Sequence, residues 1–277
     1  MNPLVLKMVA SGKTVRLGRI FRRETGRTVI AALDHGRRHG PLKGIENLRR
    51  TVETVVSAGV DAVMVTTGMI PHIADVVAGR VALIARIDGT GTIHGPDYTD
   101  DRLIASVSLA SRMGADAVSV MIYMGSRNEA ALLEKLGRVS EECYNLGIPL
   151  LAEAIPSPPL IKHPYSDESI AYCARIAAEY GADVVKTYYS GNLEGYTDVV
   201  ASVPIPIVVL GGPRRGEAEL LKMVEDAVKA GAKGVAIGRN IFQSRSPEGM
   251  ARALVEIVHK RVHVEEALNR YITASSA

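Results

Sequence analysis

Lys186 interrupts an apolar run, Ala182-Asp183-Val184-Val185-Lys186-Thr187-Tyr188-Tyr189, that otherwise reads as a buried strand. An ammonium taken out of water needs a partner or gives up its proton, and an amine that is neutral at pH 7 adds to carbonyl groups. The residue is therefore either an imine-forming nucleophile or the cationic half of an ion pair inside the fold. Glu153, in Leu151-Ala152-Glu153-Ala154-Ile155, is a second proton carrier or simply that partner. Asp34 closes another apolar run, Val29-Ile30-Ala31-Ala32-Leu33. A carboxylate there orients an amine and moves protons, or it caps a helix or forms a salt bridge. Gly211-Gly212 and Gly238-Arg239 each follow an apolar run. Glycines let backbone N–H groups approach phosphate oxygens, and a guanidinium binds them bidentately. The plainer alternative is a pair of helix-starting turns with a surface arginine. His35 and His39 lie four apart, as a metal pair would, but no third ligand accompanies them at a workable spacing. Beside Arg37 and Arg38 they read as contacts to substrate phosphate or solvent, and no metal is expected.

These residues need elements that bring them together. Four segments repeat a glycine-then-strand pattern: Gly59-Val60-Asp61-Ala62-Val63, Gly114-Ala115-Asp116-Ala117-Val118, Gly181-Ala182-Asp183-Val184-Val185 and Gly231-Ala232-Lys233-Gly234-Val235. Glycine just past a helix takes the left-handed conformation that closes it, and the apolar run after it begins a buried parallel strand. The repeats are 55, 67 and 50 residues apart, so each interval holds two strand–helix units. In all, eight apolar runs occur, at 28–34, 61–66, 81–87, 116–122, 148–155, 183–189, 205–210 and 234–238. Amphipathic helices separate them, as at Glu46 to Ala58 and Glu217 to Ala230. Eight alternating units predict an α/β fold of one domain, a (β/α)8 TIM barrel over residues 28–262. Residues 1–27 should cap its bottom as a short helix or strand, and residues 263–277 should add an amphipathic helix and tail suited to subunit contacts. An open doubly wound sheet is the alternative, but GxGxxG after the first strand is missing.

A barrel of this kind carries its chemistry at the C-terminal ends of its strands. Those ends read Asp34-His35, Thr66-Thr67, Asp88, Tyr123, Glu153, Lys186 with Tyr188, Gly211-Gly212 and Gly238-Arg239. Lys186 and Tyr188 are two apart and so share a strand face.

Composition narrows the setting. The 277 residues are 47% hydrophobic, enough for a substantial core. The net charge of +3 comes from 33 basic and 30 acidic residues mixed along the chain, without a basic tract, so nucleic acid is not an expected partner. No apolar run approaches a membrane span, and the start of the chain lacks an apolar signal region, so a cytoplasmic location is expected. Cys143 and Cys173 fall in helical segments without metal or redox spacing and read as reduced thiols.

The ordered motifs Arg19-Ile20-Phe21, Leu33-Asp34-His35-Gly36 with Gly40-Pro41, Val185-Lys186-Thr187-Tyr188-Tyr189, Gly211-Gly212-Pro213 and Val235-Ala236-Ile237-Gly238-Arg239-Asn240-Ile241-Phe242-Gln243 resemble the archaeal-type class I fructose-bisphosphate aldolase family over residues 13–270. That family also holds aminodideoxyheptulosonate synthase, a transaldolase, and the thiolase acting on the phosphorylated autoinducer-2 product. The resemblance implies a Schiff-base lysine at Lys186, a catalytic aspartate at Asp34, phosphate binding at Gly211, Gly212, Gly238 and Arg239, and a large ring-shaped homo-oligomer. It implies neither metal nor organic cofactor. Two positions depart from the pattern. Ile155 stands before Pro156 where the aldolase and synthase branches usually carry a proton-donating tyrosine, and Tyr188 stands where the fructose-bisphosphate branch often has a second lysine. Both place the chain nearer the thiolase branch, and Tyr188, Tyr123 or Glu153 would have to supply the missing proton transfer.

The expected activity is thus class I aldol cleavage or formation in a phosphorylated ketose of the fructose 1,6-bisphosphate type, with His35 and Asp88 as further substrate contacts. The alternatives are synthase-type transaldol chemistry, thiolase-type acyl transfer to coenzyme A on a phosphorylated diketone, and a non-catalytic sugar-phosphate binder.

Overall fold

Each apolar run forms one strand: β1 (Thr28–Ala32), β2 (Ala62–Thr66), β3 (Ala82–Arg86), β4 (Ala117–Met124), β5 (Leu150–Pro156), β6 (Val184–Thr187), β7 (Ile207–Leu210) and β8 (Gly234–Ile237). All pairs are parallel and follow chain order, with β8 returning to β1 to close the barrel. The computed structural model describes the backbone of residues 3–276 and the side chains of residues 11–273. Around the barrel lie α1 (Pro3–Ile20), α2 (Gly36–His39), α3 (Leu48–Ser57), α4 (Ala74–Val77), α5 (Val107–Arg112), α6 (Glu129–Leu146), α7 (Asp167–Glu179), α8 (Leu193–Ser202), α9 (Glu217–Lys229), α10 (Arg239–Phe242), α11 (Pro247–Val255) and α12 (Val264–Ser276). Among the described residues, no helix is long and apolar enough to cross a membrane.

Strand parity sets what faces inward. Ala32, Ala62, Met64, Ala82, Ile84 and Val208 belong to one buried cluster inside the barrel, while the alternate residues Val29, Ala31, Val63 and Val65 pack outward against helices. Two steps further up the same inward rows stand Asp34 above Ala32, Arg86 above Ile84, Glu153 above Leu151 and Lys186 above Val184. The apolar filling is thus a water-free floor under four charged side chains. The strand β6 is shorter than its apolar run, because its ladder to β7 ends at Thr187 opposite Val209. Tyr188 lies just past the strand.

The glycine repeats build the opposite end. Asp61, Asp116 and Asp183 each accept a backbone N–H from the neighbouring strand, from Val29 at 2.6 Å, Leu83 at 3.0 Å and Leu150 at 2.8 Å. Each also pairs with a cation from α1 or the residue pair after it: Arg22 at 2.5 Å, Arg19 at 2.8 Å and Lys13 at 2.8 Å respectively. Lys13 and Arg19 lie six residues apart on α1, and Arg22 follows three residues after Arg19. The N-terminal segment is therefore an 18-residue helix rather than a short element. In the fourth repeat Lys233 replaces the aspartate, and Gly234 takes φ +134°, where a Cβ would stand 1.9 Å from the Thr28 carbonyl oxygen. At the other terminus α12 buries Ala267 and Tyr271.

Candidate active site

A cavity of about 270 Å³ opens at the C-terminal end of the barrel. Lys186, Asp34, Glu153, Tyr123, Tyr188, His35, Gly211, Gly212, Gly238 and Arg239 all line it, as does Ile155. Lys186 Nζ lies 3.0 Å from Glu153 Oε1, and both side chains are more than nine-tenths buried. Parallel pairing of β5 with β6 places the two residues directly opposite one another.

Between the carboxylates lies a residue that sequence reasoning missed. Arg86 is fully buried; its Nε donates to Asp34 at 2.9 Å, one terminal nitrogen donates to Glu153, and the other reaches Asp88 at 3.4 Å. Asp88 in turn accepts from Lys135 Nζ at 2.6 Å, and Lys135 also donates to the carbonyls of Asp101 and Met121. Three carboxylates thus meet three cations, Arg86, Lys135 and Lys186, and Arg37, equally buried, adds a further cation 3.8 Å from Asp34. Burial by itself raises the Asp34 carboxyl, but Arg86, Lys186, His35 and Arg37 outweigh it and hold the group well below the usual carboxylate range. Burial likewise opposes ionisation of Glu153, and Lys186 with Arg86 overcomes it, so this carboxyl is also lowered.

Asp88 does not reach the cavity, which corrects the expectation that it contacts substrate. It is 0% exposed because the chain after β3 folds back, with Leu103 bridging Asp88 and the Met121 N–H donating to its carboxylate at 2.7 Å. The same loop brings Asp101 to Arg38 at 2.8 Å and to Arg37 at 3.4 Å. Arg38 also donates to the Tyr123 hydroxyl at 3.0 Å. Burial pushes the Tyr123 phenol up. Tyr188 is raised by burial too, with Tyr165, whose ring centroid is 4.7 Å away, as a further cause.

The two glycine loops meet through Asn240. Its amide donates to the carbonyls of Gly211 at 3.0 Å and Pro213 at 3.1 Å, and its oxygen accepts the Arg215 N–H at 3.0 Å. Gly212 has φ +64°, and a Cβ on Gly238 would stand 2.3 Å from the His35 ring and 2.5 Å from the Ala32 carbonyl. No other residue type fits that approach. Arg239 Nε and His35 Nδ1 are buried here without a hydrogen-bond partner in the protein, with Asp34 3.9 Å from His35 Nδ1. Burial lowers His35 to about 4, leaving a neutral ring at pH 7. His35 and His39 stack at 6.4 Å, and among the described residues no group of three or more His, Cys, Asp or Glu could hold a metal ion.

Arg86 carried the same sequence signal as Lys186, a charge within the apolar run Ala82-Leu83-Ile84-Ala85-Arg86-Ile87-Asp88. Lys135 and Asp101 carried none, because helical and loop positions accept such residues on any surface.

The profile of the DeoC/LacD family aldolases matches residues 28–244. The chain is 43% identical over 264 residues to 2-amino-3,7-dideoxy-D-threo-hept-6-ulosonate synthase 1 of Archaeoglobus fulgidus, covering 93% of this chain and 95% of that one. It is 36% identical over 248 residues to 2-amino-4,5-dihydroxy-6-oxo-7-(phosphonooxy)heptanoate synthase of Streptomyces griseus, covering 89% and 90%. Among solved structures, an archaeal fructose 1,6-bisphosphate aldolase superposes with a TM-score of 0.81 at 33% identity, over 89% of this chain and 99% of that one. A further structure of an archaeal fructose-1,6-bisphosphate aldolase, with its catalytic lysine covalently bound to the carbinolamine intermediate of the substrate, gives a TM-score of 0.80 at 33% identity, over 88% and 98%. With its closed eight-stranded parallel barrel and these matches along most of its length, the chain belongs to the DeoC/LacD aldolase family.

Proposed function

We propose that the protein makes or breaks a carbon–carbon bond beside the carbonyl of a phosphorylated ketone, through an iminium on Lys186. The observation that carries this reading is the Lys186–Glu153 pair at 3.0 Å, more than nine-tenths buried above an apolar floor and sharing a cavity with Asp34 and Arg239. Glu153 accepts the ammonium proton, and the freed amine adds to the ketone to give a carbinolamine. Glu153 returns that proton to the departing hydroxyl, and loss of water leaves an iminium, which bears the same single positive charge as the ammonium it replaces. The net charge of the buried cluster is therefore unchanged, and the charged intermediate is favoured over a free amine. The iminium draws electrons from the neighbouring bond, Asp34 takes the proton of the hydroxyl that becomes the aldehyde, and an enamine remains. Synthesis runs these steps backwards. The N–H groups of Gly211, Gly212 and Gly238, together with Arg239, hold the phosphate and so orient the carbonyl. Ile155 moves no proton; the Tyr188 phenol, backed by Tyr165, takes that task.

The names of the relatives favour one substrate class. In a 2-amino-hept-6-ulosonate, the bond that an imine at carbon 6 helps to form joins carbons 4 and 5. Disconnecting it gives a three-carbon ketone and 2-amino-4-oxobutanoate, an amino acid with an aldehyde. We place this chain with that chemistry, with Arg37 and Arg38 near the carboxylate of the incoming aldehyde. Cleavage of fructose 1,6-bisphosphate is the second reading, supported by the superposition on the aldolase structures.

The test is borohydride trapping with fructose 1,6-bisphosphate or dihydroxyacetone phosphate, followed by peptide mass mapping. An adduct on Lys186 is expected. No adduct with either compound, together with EDTA-sensitive activity, overturns the iminium. Adding 2-amino-4-oxobutanoate should yield a seven-carbon keto acid. Turnover seen only with coenzyme A would assign acyl transfer instead.

A further inference from the structure

Beyond the groups that touch substrate, the centre contains one side chain that touches both working carboxylates. We infer that Arg86 is the positioning residue of this site, fixing Asp34 and Glu153 as anions at set places around Lys186 and being itself anchored by Asp88 and Lys135. The inference rests on the reading of Lys186 as the nucleophile and adds a residue to it.

The geometry leaves Arg86 little other use. It is fully buried, its three side-chain nitrogens each meet a different carboxylate, and it does not line the cavity. A lysine would offer one nitrogen where the site uses three in a plane. The anchor is equally specific: Lys135 projects from α6 and spends its protons on Asp88 and on the carbonyls of Asp101 and Met121. Asp101 holds Arg37 and Arg38. The chain of contacts from Lys186 through Glu153, Arg86, Asp88 and Lys135 thus returns to the cavity rim at Arg38 and Tyr123.

A buried ion pair of this kind adds little net stability relative to an apolar filling of equal volume, whereas a lone carboxylate left there is costly. Its effect is on protonation state. Asp34 is faced by Arg86, Lys186, His35 and Arg37, and Glu153 by Lys186, Arg86 and Asp34, with Tyr123 and Tyr188 at the cavity wall. Remove Arg86, and Asp34 keeps Arg37 at 3.8 Å while both carboxylates compete for Lys186, the one cation left in contact with Glu153. One of them takes a proton at neutral pH and can no longer accept one.

The experiment compares wild type, Arg86→Met, Arg86→Lys and the charge-balanced double variant Arg86→Met with Asp88→Asn, which guards against a single variant that fails to fold. Each is checked for fold by circular dichroism. The rate of borohydride-trapped adduct formation with dihydroxyacetone phosphate is then followed from pH 4 to 9. The acidic limb of the pH profile should move up by about 1 to 3 units in Arg86→Met and in the double variant, in line with the loss of an adjacent guanidinium. Arg86→Lys should recover part of that shift. Maximal rate should fall at least tenfold, while the concentration of ketone phosphate giving half-maximal rate changes less than threefold, because Arg239 lines the cavity and Arg86 does not. Folded variants whose acidic limb stays at the wild-type pH would overturn the inference. A wild-type protein that forms no adduct would instead overturn the reading of Lys186.

Discussion

Two buried residues carry opposite lessons about single side chains. Lys186 was legible because an apolar strand gives an amine no structural reason to be there, and its partner Glu153 was legible on the same ground. Arg86 stands in the same kind of run, but an arginine keeps its charge and suggests no covalent chemistry. Its role appears only when three strands converge on it. At Lys186 the expected result of Lys186→Met is loss of the trapped adduct and of turnover, with the circular dichroism spectrum retained, because Glu153 keeps Arg86 as partner. Tyr188→Phe should slow turnover by roughly 100-fold or more while leaving adduct formation intact, as loss of a positioned proton donor does; an unchanged rate would pass that task to Tyr123. His35 gives a pH prediction. Its folded pKa, lowered by burial to about 4, lies below the unfolded value, so the unfolded chain binds more protons between about pH 6.5 and 4. Stability therefore falls as pH drops through that window, by about 3 kcal/mol in all. Asp34, whose pKa is also lowered, adds its own loss at still lower pH. Urea midpoints from pH 7 to 4 measure the slope, and His35→Gln should flatten it.

Elements were legible where one physical demand repeats. All eight strands fall within their apolar runs or extend past them by one or two residues, because a parallel strand buried on both faces needs continuous apolar sequence. The helix α1 was not legible as a long helix. Its side-chain pattern makes sense only against Asp61, Asp116 and Asp183, which are distant in sequence and meet at the barrel floor. These contacts are unequal, and the difference can be measured. Asp61 serves the Val29 N–H, Arg22 and His259, which is fixed between Asp61 at 2.8 Å and Thr25 at 2.9 Å. Asp61→Ala should cost about 2 to 4 kcal/mol, since it orphans a buried N–H and strands a buried imidazole. Asp116→Ala should cost only about 1 to 2 kcal/mol, as Arg19 can turn to water. Equal urea midpoints for the two variants would contradict this ranking.

Across the whole molecule, the two ends of the barrel divide the work, and the same residue types do different things at each. At the floor, carboxylates accept strand N–H groups and pair with cations that keep some contact with water, so the charges serve closure of the fold. At the mouth, carboxylates and cations are sealed above apolar side chains, where a change in protonation is felt by every neighbour. Sequence position separates the two sets: Asp61, Asp116 and Asp183 precede their strands, whereas Asp34 lies two residues past β1, Lys186 is the next-to-last residue of β6, and Glu153 stands at the middle of β5 opposite Lys186. Variants should therefore separate in a two-axis measurement of urea midpoint and borohydride-trapped adduct. Asp61→Ala should lower the midpoint and, at a urea concentration where it is still folded, form adduct on Lys186 within about threefold of wild type, for its effect stops at the floor. Lys186→Met should abolish the adduct while the protein stays folded, at a stability cost of about 1 to 3 kcal/mol, because one partner of a buried pair is lost but Glu153 retains Arg86. If Asp61→Ala loses the adduct while still folded, the floor and the mouth are coupled through the inward rows of side chains, and the division of work between the two ends does not hold.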